Sequence, residues 1–298
     1  MEKFKPIIIG AISMKQRWKI IITSALTIAI LLFILLNQTT APVITYFPND
    51  PSLKYDRSNT SISIKESTGD DTYIVDWESY SSLSDPVYLR QDVSILFMDG
   101  RLKGMKSIWK EQEKNIHLSS SFEESDSSLF QAITFHHGEI HYSSDDIKTV
   151  QSMSSSKVYV IDSPHTKLVS FAKPVTDNEK DWSSTVDQTI NQYLHYVWNE
   201  WITEKSINIE EYDLVPLVDL IHFNDQTLPD LTEEQTNKVI GQLWEGLYKN
   251  YVIPMLNKQW KDGTPMPIVL FSKDNTHLIV VFEDGDQQVQ VLYQQYTF

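Results

Sequence analysis

An uncharged apolar segment near the start of the chain constrains what the rest can be. The seventeen residues 20–36, IIITSALTIAILLFILL, carry no charge, and only three of them are polar. As a helix at about 1.5 Å per residue, this segment is roughly 26 Å long, close to the thickness of the hydrocarbon core of a bilayer. Backbone groups in lipid must bond internally, so we predict a single transmembrane helix over 20–36.

Charges on the two sides of this segment predict its orientation. Lys15, Arg17 and Lys19 precede it, and the chain beyond it is acidic. Basic residues concentrate on the cytoplasmic side of membrane helices, so we expect 1–19 to be cytoplasmic and the body extracytoplasmic. The competing interpretation is a cleaved signal peptide, but such peptides have an apolar core of about 7–15 residues and a small-x-small cleavage site. This core is longer and NQTTA fits such a site poorly, which favours an uncleaved anchor.

The acidic body limits the classes of partner. Residues 37–298 hold 20 basic and 39 acidic residues, a net charge of −19, whereas the whole chain carries −15. A body of this charge repels nucleic acid and anionic lipid headgroups, so we expect no nucleic-acid partner. The charge suits a cationic partner, bound cations, or solubility in a salty exterior. The absence of cysteine excludes a disulfide framework, thiolate metal sites, a cysteine nucleophile and a lipidated N-terminus.

Beyond the membrane segment, the periodicity of the sequence changes twice. Residues 37–60 contain three prolines and no periodicity, which predicts an extended stalk. From 61 to 175 short alternating runs are separated by turn signals, and Asp99-Gly100 is the best hairpin signal among them. This segment predicts a β-rich extracytoplasmic domain, an antiparallel β-meander forming one curved sheet or a partly closed barrel. The Ser-rich segments SSSFEESDSS and SSDDIKTVQSMSSS are interpreted as its loops.

The segment 176–298 predicts a second extracytoplasmic domain of α+β type. An apolar stripe predicts a helix over 186–205, with Ser184 and Asp187 as its N-terminal cap, and a second helix begins at the capping-box pair Thr232 and Gln235. Pro254 is expected to kink or restart that helix. Three apolar runs after residue 265 predict strands. The fold class is therefore α+β: a single transmembrane helix, then a β-meander, then two helices packed on a three-stranded antiparallel sheet.

A histidine-rich stretch, AITFHHGEIHY (132–142), carries the strongest chemical signal outside the membrane segment. Glycine supplies the positive φ that a tight turn needs, so we predict a hairpin turn at 137–138. Paired residues share a face of a hairpin and faces alternate along each strand. One face then carries Ile133, Phe135, Ile140 and Tyr142, and the other carries Thr134, His136, Glu139 and His141.

Two interpretations of the histidine face remain open. The first, which the clean sorting of the faces favours, is the solvated side of an amphipathic hairpin. The second is a divalent-metal site formed by His136, Glu139 and His141, because two imidazoles and a carboxylate can hold zinc or a similar ion with one position open. The spacing differs from the helical H-E-x-x-H of zinc hydrolases.

Tryptophans supply the candidates for a protein interface. Trp198, Trp201 and Trp244 lie on or beside the apolar stripes of the two predicted helices. Such stripes mostly form cores, but tryptophans at the edge of a buried face are typical interface anchors.

The sequence favours a non-catalytic protein that acts through contacts with another envelope protein. The combination of a single anchor, an acidic Ser-rich body and no cysteine is typical of bacterial envelope proteins. We therefore expect a regulator, sensor or accessory subunit held in the membrane by 20–36, with no cofactor. The alternative is a metal-binding protein or metal-dependent surface hydrolase that uses the 133–142 hairpin.

The orientation is testable with a reporter enzyme that is active only outside the membrane. Fused after Phe298, the reporter should be active, because Lys15, Arg17 and Lys19 hold the N-terminus inside. The same fusion in cell fractions should remain with the membrane. Release of a soluble form beginning near Ala41 would contradict the uncleaved anchor.

Overall fold

The computed structural model describes residues 45–66, 72–143, 145–163, 166–258 and 263–298. The predicted cytoplasmic segment 1–19 and the predicted membrane helix 20–36 lie outside these residues. Within the described part of the chain, none of the helices is long and apolar enough to cross a membrane.

A two-residue turn at Asp99–Gly100 joins the two longest strands. Both residues have positive φ, 51° and 75°, and Met98 pairs with Arg101 across the turn. The turn ends β2 (Tyr73–Met98) and begins β3 (Arg101–Glu124). Positive φ at both central positions is the geometry of the type I′ turn, which Asp-Gly favours. The predicted hairpin is confirmed.

The first sheet is antiparallel and contains six of the strands in the described residues. Its other members are β1 (Arg57–Glu66), β4 (Ser128–His141), β5 (Ile147–Ser163) and β6 (Thr166–Phe171). The order is β1-β2-β4-β5-β6. Strand β3 pairs with the edge of β2 that does not face β1 and β4. The sheet is not a simple meander, because β4 pairs with β2 rather than with β3. The predicted hairpin turn at 137–138 is wrong, since β4 continues through it.

A shift in strand register divides β2 into two parts. Residues 73–82 pair with β1 and residues 89–98 pair with β4, and the register against β3 shifts between Ser82 and Val87. Strand β1 and residues 73–82 of β2 form an antiparallel pair, which we call the β1 hairpin. This hairpin lies over one face of β4 and β5, where Thr60 bonds to both Thr134 and Ser154. We call this face the hairpin-side face. The opposite face, which carries Phe135 and packs against the helices, is the helix-side face.

Two helices follow the first sheet. Helix α1 (Asp177–Glu204) begins earlier than predicted, because Thr176 and Glu179 form a capping box in place of the proposed caps Ser184 and Asp187. Helix α2 (Glu233–Leu247) begins at the predicted capping box of Thr232 and Gln235.

Pro254 alters the helix as the sequence suggested. A π-helical turn, Tyr248–Val252, follows α2 and leads into the short helix α3 (Ile253–Asn257). Proline has no N–H to donate and its ring clashes with the carbonyl four residues earlier, here that of Asn250. The wider turn relieves that clash.

The second sheet has four strands in the described residues rather than the three predicted. Strands β8 (Ile268–Ser272), β9 (His277–Glu283) and β10 (Val289–Gln295) match the predicted runs. The additional strand, β7 (Tyr212–Pro216), pairs with β8, and the order is β10-β9-β8-β7. Five residues that include Asp213 and Pro216 are too short and too polar to signal a strand. The α+β class is confirmed.

One hydrophobic core draws on both segments that the sequence separates. Phe135 of β4 stacks on Trp244 of α2 with ring centroids 5.1 Å apart, and Trp198 of α1 joins the same buried cluster. Contacts place Val43–Phe298 in one compact unit. The division into 61–175 and 176–298 as separate domains stays a prediction, and the shared core leads us to expect that the two segments unfold together.

Limited proteolysis tests this expectation. Because Phe135 and Trp244 are buried against each other, separating the two segments would expose apolar surface on both. A protease should leave one protected fragment that spans both segments, and mass spectrometry of the time course should find it. Two stable fragments meeting near 174–184 would contradict the shared core.

Candidate functional site

The structure separates the three residues predicted to share a metal. In the continuous strand β4, His136 faces the β1 hairpin, whereas Glu139 and His141 lie on the opposite face. The predicted register depended on a turn that does not form. Within the described residues, no group of three or more His, Asp or Glu side chains is arranged to hold a metal ion.

His136 and His137 are also not on a solvated face, whereas His141, at the end of β4, is exposed. His136 is 0% exposed and His137 is 1% exposed. The β1 hairpin covers one face of β4 and the helices cover the other. Alternating polarity shows which residues share a face of a strand, but it does not show that a further layer covers that face.

His136 is the centre of a buried chain of hydrogen bonds. Its Nδ1 lies 2.7 Å from Oδ2 of Asp92, and its Nε2 lies 2.7 Å from Oγ of Ser154. Asp92 is 0% exposed and Ser154 is 8% exposed. Strand pairing positions the three side chains, because Asp92 and Ser152 pair with His136 on either side and Ser154 follows two residues along β5. We call this set of residues and its hydrogen-bonded neighbours the buried polar chain.

The buried polar chain continues in both directions from His136. The Ser154 hydroxyl lies 2.6 Å from that of Thr60, which donates to Thr134 at 2.7 Å.

On the other side of His136, Oδ2 of Asp92 accepts a hydrogen bond of 2.7 Å from Ser81. Ser81 in turn accepts from the guanidinium of Arg90, which is also fully buried. A buried carboxylate therefore has a positive charge two hydrogen bonds away, which reduces the cost of burying it.

Arg90 is held by groups from three parts of the chain. Its guanidinium donates to the carbonyl of Lys114 and lies 5.0 Å from the ring centroid of Tyr55. Burial raises the pKa of the Tyr55 phenol, so this hydroxyl stays neutral. No sequence pattern marks this site, because Arg90 and Asp92 occur in YLRQDV, where they resemble ordinary exposed charges.

The order Ser154–His136–Asp92 is the hydrogen-bond order of serine hydrolases, but the surroundings differ from a catalytic site. A hydrolase needs an accessible serine and two donors for the oxyanion. Ser154 lies in the middle of β5 beneath Thr60. The backbone N–H of its neighbour Met153 is bound to Oδ1 of Asn224 at 3.0 Å. This geometry supports a structural role, in which the chain fixes strands β1, β2, β4 and β5 to one another.

Glu139 lies between two histidines on the helix-side face. Its two carboxylate oxygens lie 3.9 Å from Nε2 of His137 and 3.3 Å from Nε2 of His141. Burial alone would raise the pKa of Glu139, but the two histidines outweigh it and the pKa lies below its ordinary value. A lowered pKa in the folded state means that this carboxylate stabilises the fold above the ordinary carboxyl range and loses that effect as pH falls through the lowered pKa.

The three tryptophans proposed as interface anchors are buried within this chain. Trp198 is 3%, Trp201 5% and Trp244 0% exposed. The indole N–H of Trp198 donates to the carbonyl of Met266 at 2.8 Å, and that of Trp244 lies 3.3 Å from the sulfur of Met153. Their surfaces are already covered, so they pack the core rather than present a surface to a partner.

A groove of about 860 Å³ lies where the end of the stalk segment meets β5 and the start of α2. We call it the stalk-side groove. Asn49 forms a parallel bridge with Thr149, and Asp50 N–H donates to the carbonyl of Thr149 at 2.8 Å, so the stalk segment adds to β5 as one wall. The charged residues that line it are Asp50, Lys54, Asp225, Glu233 and Glu234, and the amides that line it are Asn49, Gln151, Asn224 and Asn237.

The stalk-side groove is acidic, and two amide oxygens beside it are buried in the fold without a donor from the part of the chain that the structure describes. Hydrogen bonds from Ser52 and Tyr142 lower the pKa of Asp50, so its carboxylate is charged at neutral pH. The buried amide oxygens of Asn49 and Gln151 have no hydrogen-bond donor among the described residues. Nε2 of Gln151 donates to the carbonyl of Asn237 at 2.7 Å, which fixes the orientation of that amide.

Comparisons with protein-family models, with curated proteins and with solved structures find nothing that matches this chain.

Unfolding measurements test the structural role of the buried polar chain. Replacing His136 by Ala should destabilise the protein by about 3–5 kcal/mol, because the buried carboxylate of Asp92 loses one of its two side-chain partners. Ser154→Ala removes two hydrogen bonds, those to His136 and Thr60, and should cost about 1–3 kcal/mol. Urea unfolding followed by tryptophan fluorescence measures both.

His117→Ala is the matched control for these variants. The His117 side chain is 55% exposed, so its loss should change stability by about 0.5 kcal/mol or less. If the free energy of unfolding of the His136→Ala protein is no lower than that of the His117→Ala protein, the buried polar chain does not stabilise the fold.

Proposed function

We propose that this chain is a membrane-anchored, extracytoplasmic, non-catalytic protein that binds a basic segment of another envelope protein in the stalk-side groove. The observation that carries the proposal is the composition of that groove. Asp50, Asp225, Glu233 and Glu234 line it, and Lys54 is the one basic residue among the described residues that do so.

The charge of the groove favours a cationic ligand. Carboxylates attract a cationic segment and steer its approach. Two of the carboxylates, Glu233 and Glu234, also stabilise the N-terminus of α2. That local role does not account for Asp50 and Asp225.

The position of the groove suits a partner in the same envelope. If 20–36 anchors the chain, residues 37–48 connect the membrane to the groove wall at Asn49. Fully extended, that segment spans at most about 40 Å. A neighbouring membrane protein therefore lies within reach, whereas a distant soluble ligand gains nothing from the anchor.

The buried polar chain favours the non-catalytic form of the proposal. Ser154, the candidate nucleophile, is covered by Thr60, and the N–H of Met153 is bound to Asn224. A metal-dependent alternative based on 133–142 rested on a hairpin that does not form, so we do not pursue it.

Peptide binding tests the groove. Full-length protein in detergent should bind a fluorescent hexalysine peptide, measured by anisotropy. The triple variant Asp225→Asn, Glu233→Gln, Glu234→Gln should bind it roughly tenfold or more weakly, because each exposed charge pair contributes on the order of 0.5–1 kcal/mol. Added salt should reduce the difference.

A second triple variant separates the groove from the general acidity of the body. Glu111→Gln, Glu113→Gln and Glu123→Gln remove the same charge from exposed positions on β3. This protein should bind the peptide as the unmodified protein does. Equal weakening by the two triple variants would mean that the peptide is attracted by net charge alone, and the proposed groove would be wrong.

A further inference from the structure

Strand β10 has a free edge whose backbone groups are aligned for another strand. Tyr296 N–H donates to the carbonyl of Thr276 at 2.8 Å, and the carbonyl of Gln288 accepts from Asp284 N–H at 3.0 Å. Even-numbered positions therefore bond to β9, and odd-numbered positions direct N–H and C=O away from it. Those positions are Val289, Val291, Tyr293 and Gln295. In the described residues β10 is the last strand of its sheet.

This edge lacks the features that protect other edges in the molecule. Edge strands are usually short, charged or interrupted by proline, because an open edge invites another strand. Strand β7 has five residues and ends in Pro216, and β6 has six residues. Edge strand β3 carries charges along its length, among them Lys106, Lys110 and Glu113. By contrast, no side chain from 287 to 298 is charged.

The sequence of β10 is complementary to itself in one antiparallel register. When Leu292 lies opposite Leu292 of a second copy, Val291 faces Tyr293 and Val289 faces Gln295. All outward-directed positions then pair with outward-directed positions, so every free backbone group on this stretch finds a partner. An aromatic residue opposite a β-branched residue is a favourable cross-strand pair.

Charge repulsion between two copies is avoided at this edge. Two copies that each carry a net charge of −15 repel one another wherever their acidic surfaces meet. The uncharged β10 edge is a surface at which they can approach without bringing carboxylates together. Val291 is 43% and Tyr293 57% exposed, and the pairing would cover both.

We propose that β10 pairs with β10 of a second copy of this chain across a two-fold axis at Leu292. The pairing joins two four-stranded sheets into one continuous antiparallel sheet. It does not depend on the stalk-side groove, and either proposal can fail while the other stands.

Site-specific disulfide crosslinking tests the pairing, because the chain has no cysteine of its own. In the proposed register the two 292 positions form a non-hydrogen-bonded pair with Cα atoms about 4.5 Å apart, which a disulfide can bridge. Full-length Leu292→Cys in membranes, oxidised with copper phenanthroline, should run as a dimer on a non-reducing gel. Dithiothreitol should return it to the monomer.

A mixture of two variants tests the register and avoids disturbing Leu292, which packs over Gly246. Position 290 faces position 294 of the second copy, so Gln290→Cys and Gln294→Cys should crosslink when mixed. Gln290→Cys alone should not, because its two thiols would be about 13 Å apart along the strands. Thr189→Cys, on the exposed side of α1, should also stay monomeric.

A charge variant adds a second measurement. Val291→Lys together with Tyr293→Lys places lysines opposite each other in the proposed register and should reduce crosslinking of Leu292→Cys at least tenfold. The proposal is overturned if Leu292→Cys forms no dimer and the mixture of Gln290→Cys with Gln294→Cys forms none. Equal crosslinking of Thr189→Cys would overturn it too, because the contact would then be non-specific.

Discussion

The hydrogen bond between His136 and Asp92 fixes the layers of this molecule. Both side chains are fully buried, and a carboxylate can remain in such a place only with partners within hydrogen-bonding distance. The partners of Asp92, Ser81 and His136, come from β2 and β4, and His136 continues the chain of hydrogen bonds to Ser154 of β5 and from there to Thr60 of β1. A slip of one residue in β4 would turn His136 towards the helices and bring Phe135 against Asp92. The register of the central strands is therefore set by polar contacts as much as by apolar packing.

The apolar contacts on the other face set how the two halves of the chain meet. Phe135 and Trp244 stack across the boundary between the first sheet and α2. The side-chain amide of Asn224 bonds to both the N–H and the carbonyl of Met153. It therefore satisfies the backbone of β5 at this point as a neighbouring strand would. Together these contacts make the helices part of the same core as the strands, which is why a change of periodicity near residue 175 does not by itself mark a boundary of folding.

Local features of the sequence were reliable where they depend on backbone chemistry. Asp99-Gly100 predicted its hairpin because few residue pairs accept positive φ at both positions. The capping box of Thr232 and Gln235 and the effect of Pro254 follow from the same kind of constraint. The features that failed depend on the tertiary fold. Alternation along 132–142 could not show that both faces of the strand are covered, and Trp198 on the edge of an apolar stripe could not show that Met266 would cover it.

The serines of β5 have a consequence for the chain before it folds. The sequence SMSSS was interpreted as a loop, yet it forms the middle of β5, where Ser152 and Ser154 meet the small hydroxyl side chains of β1. Unfolded segments that combine strong β propensity, high hydrophobicity and low charge are the ones that aggregate. The run of serines at 152, 154 and 156 makes the middle of this face of β5 less prone to aggregate than a run of valine and isoleucine would be. In the unfolded chain the middle of β5 is therefore a polar segment, which offers other chains little apolar surface before β1 packs over it.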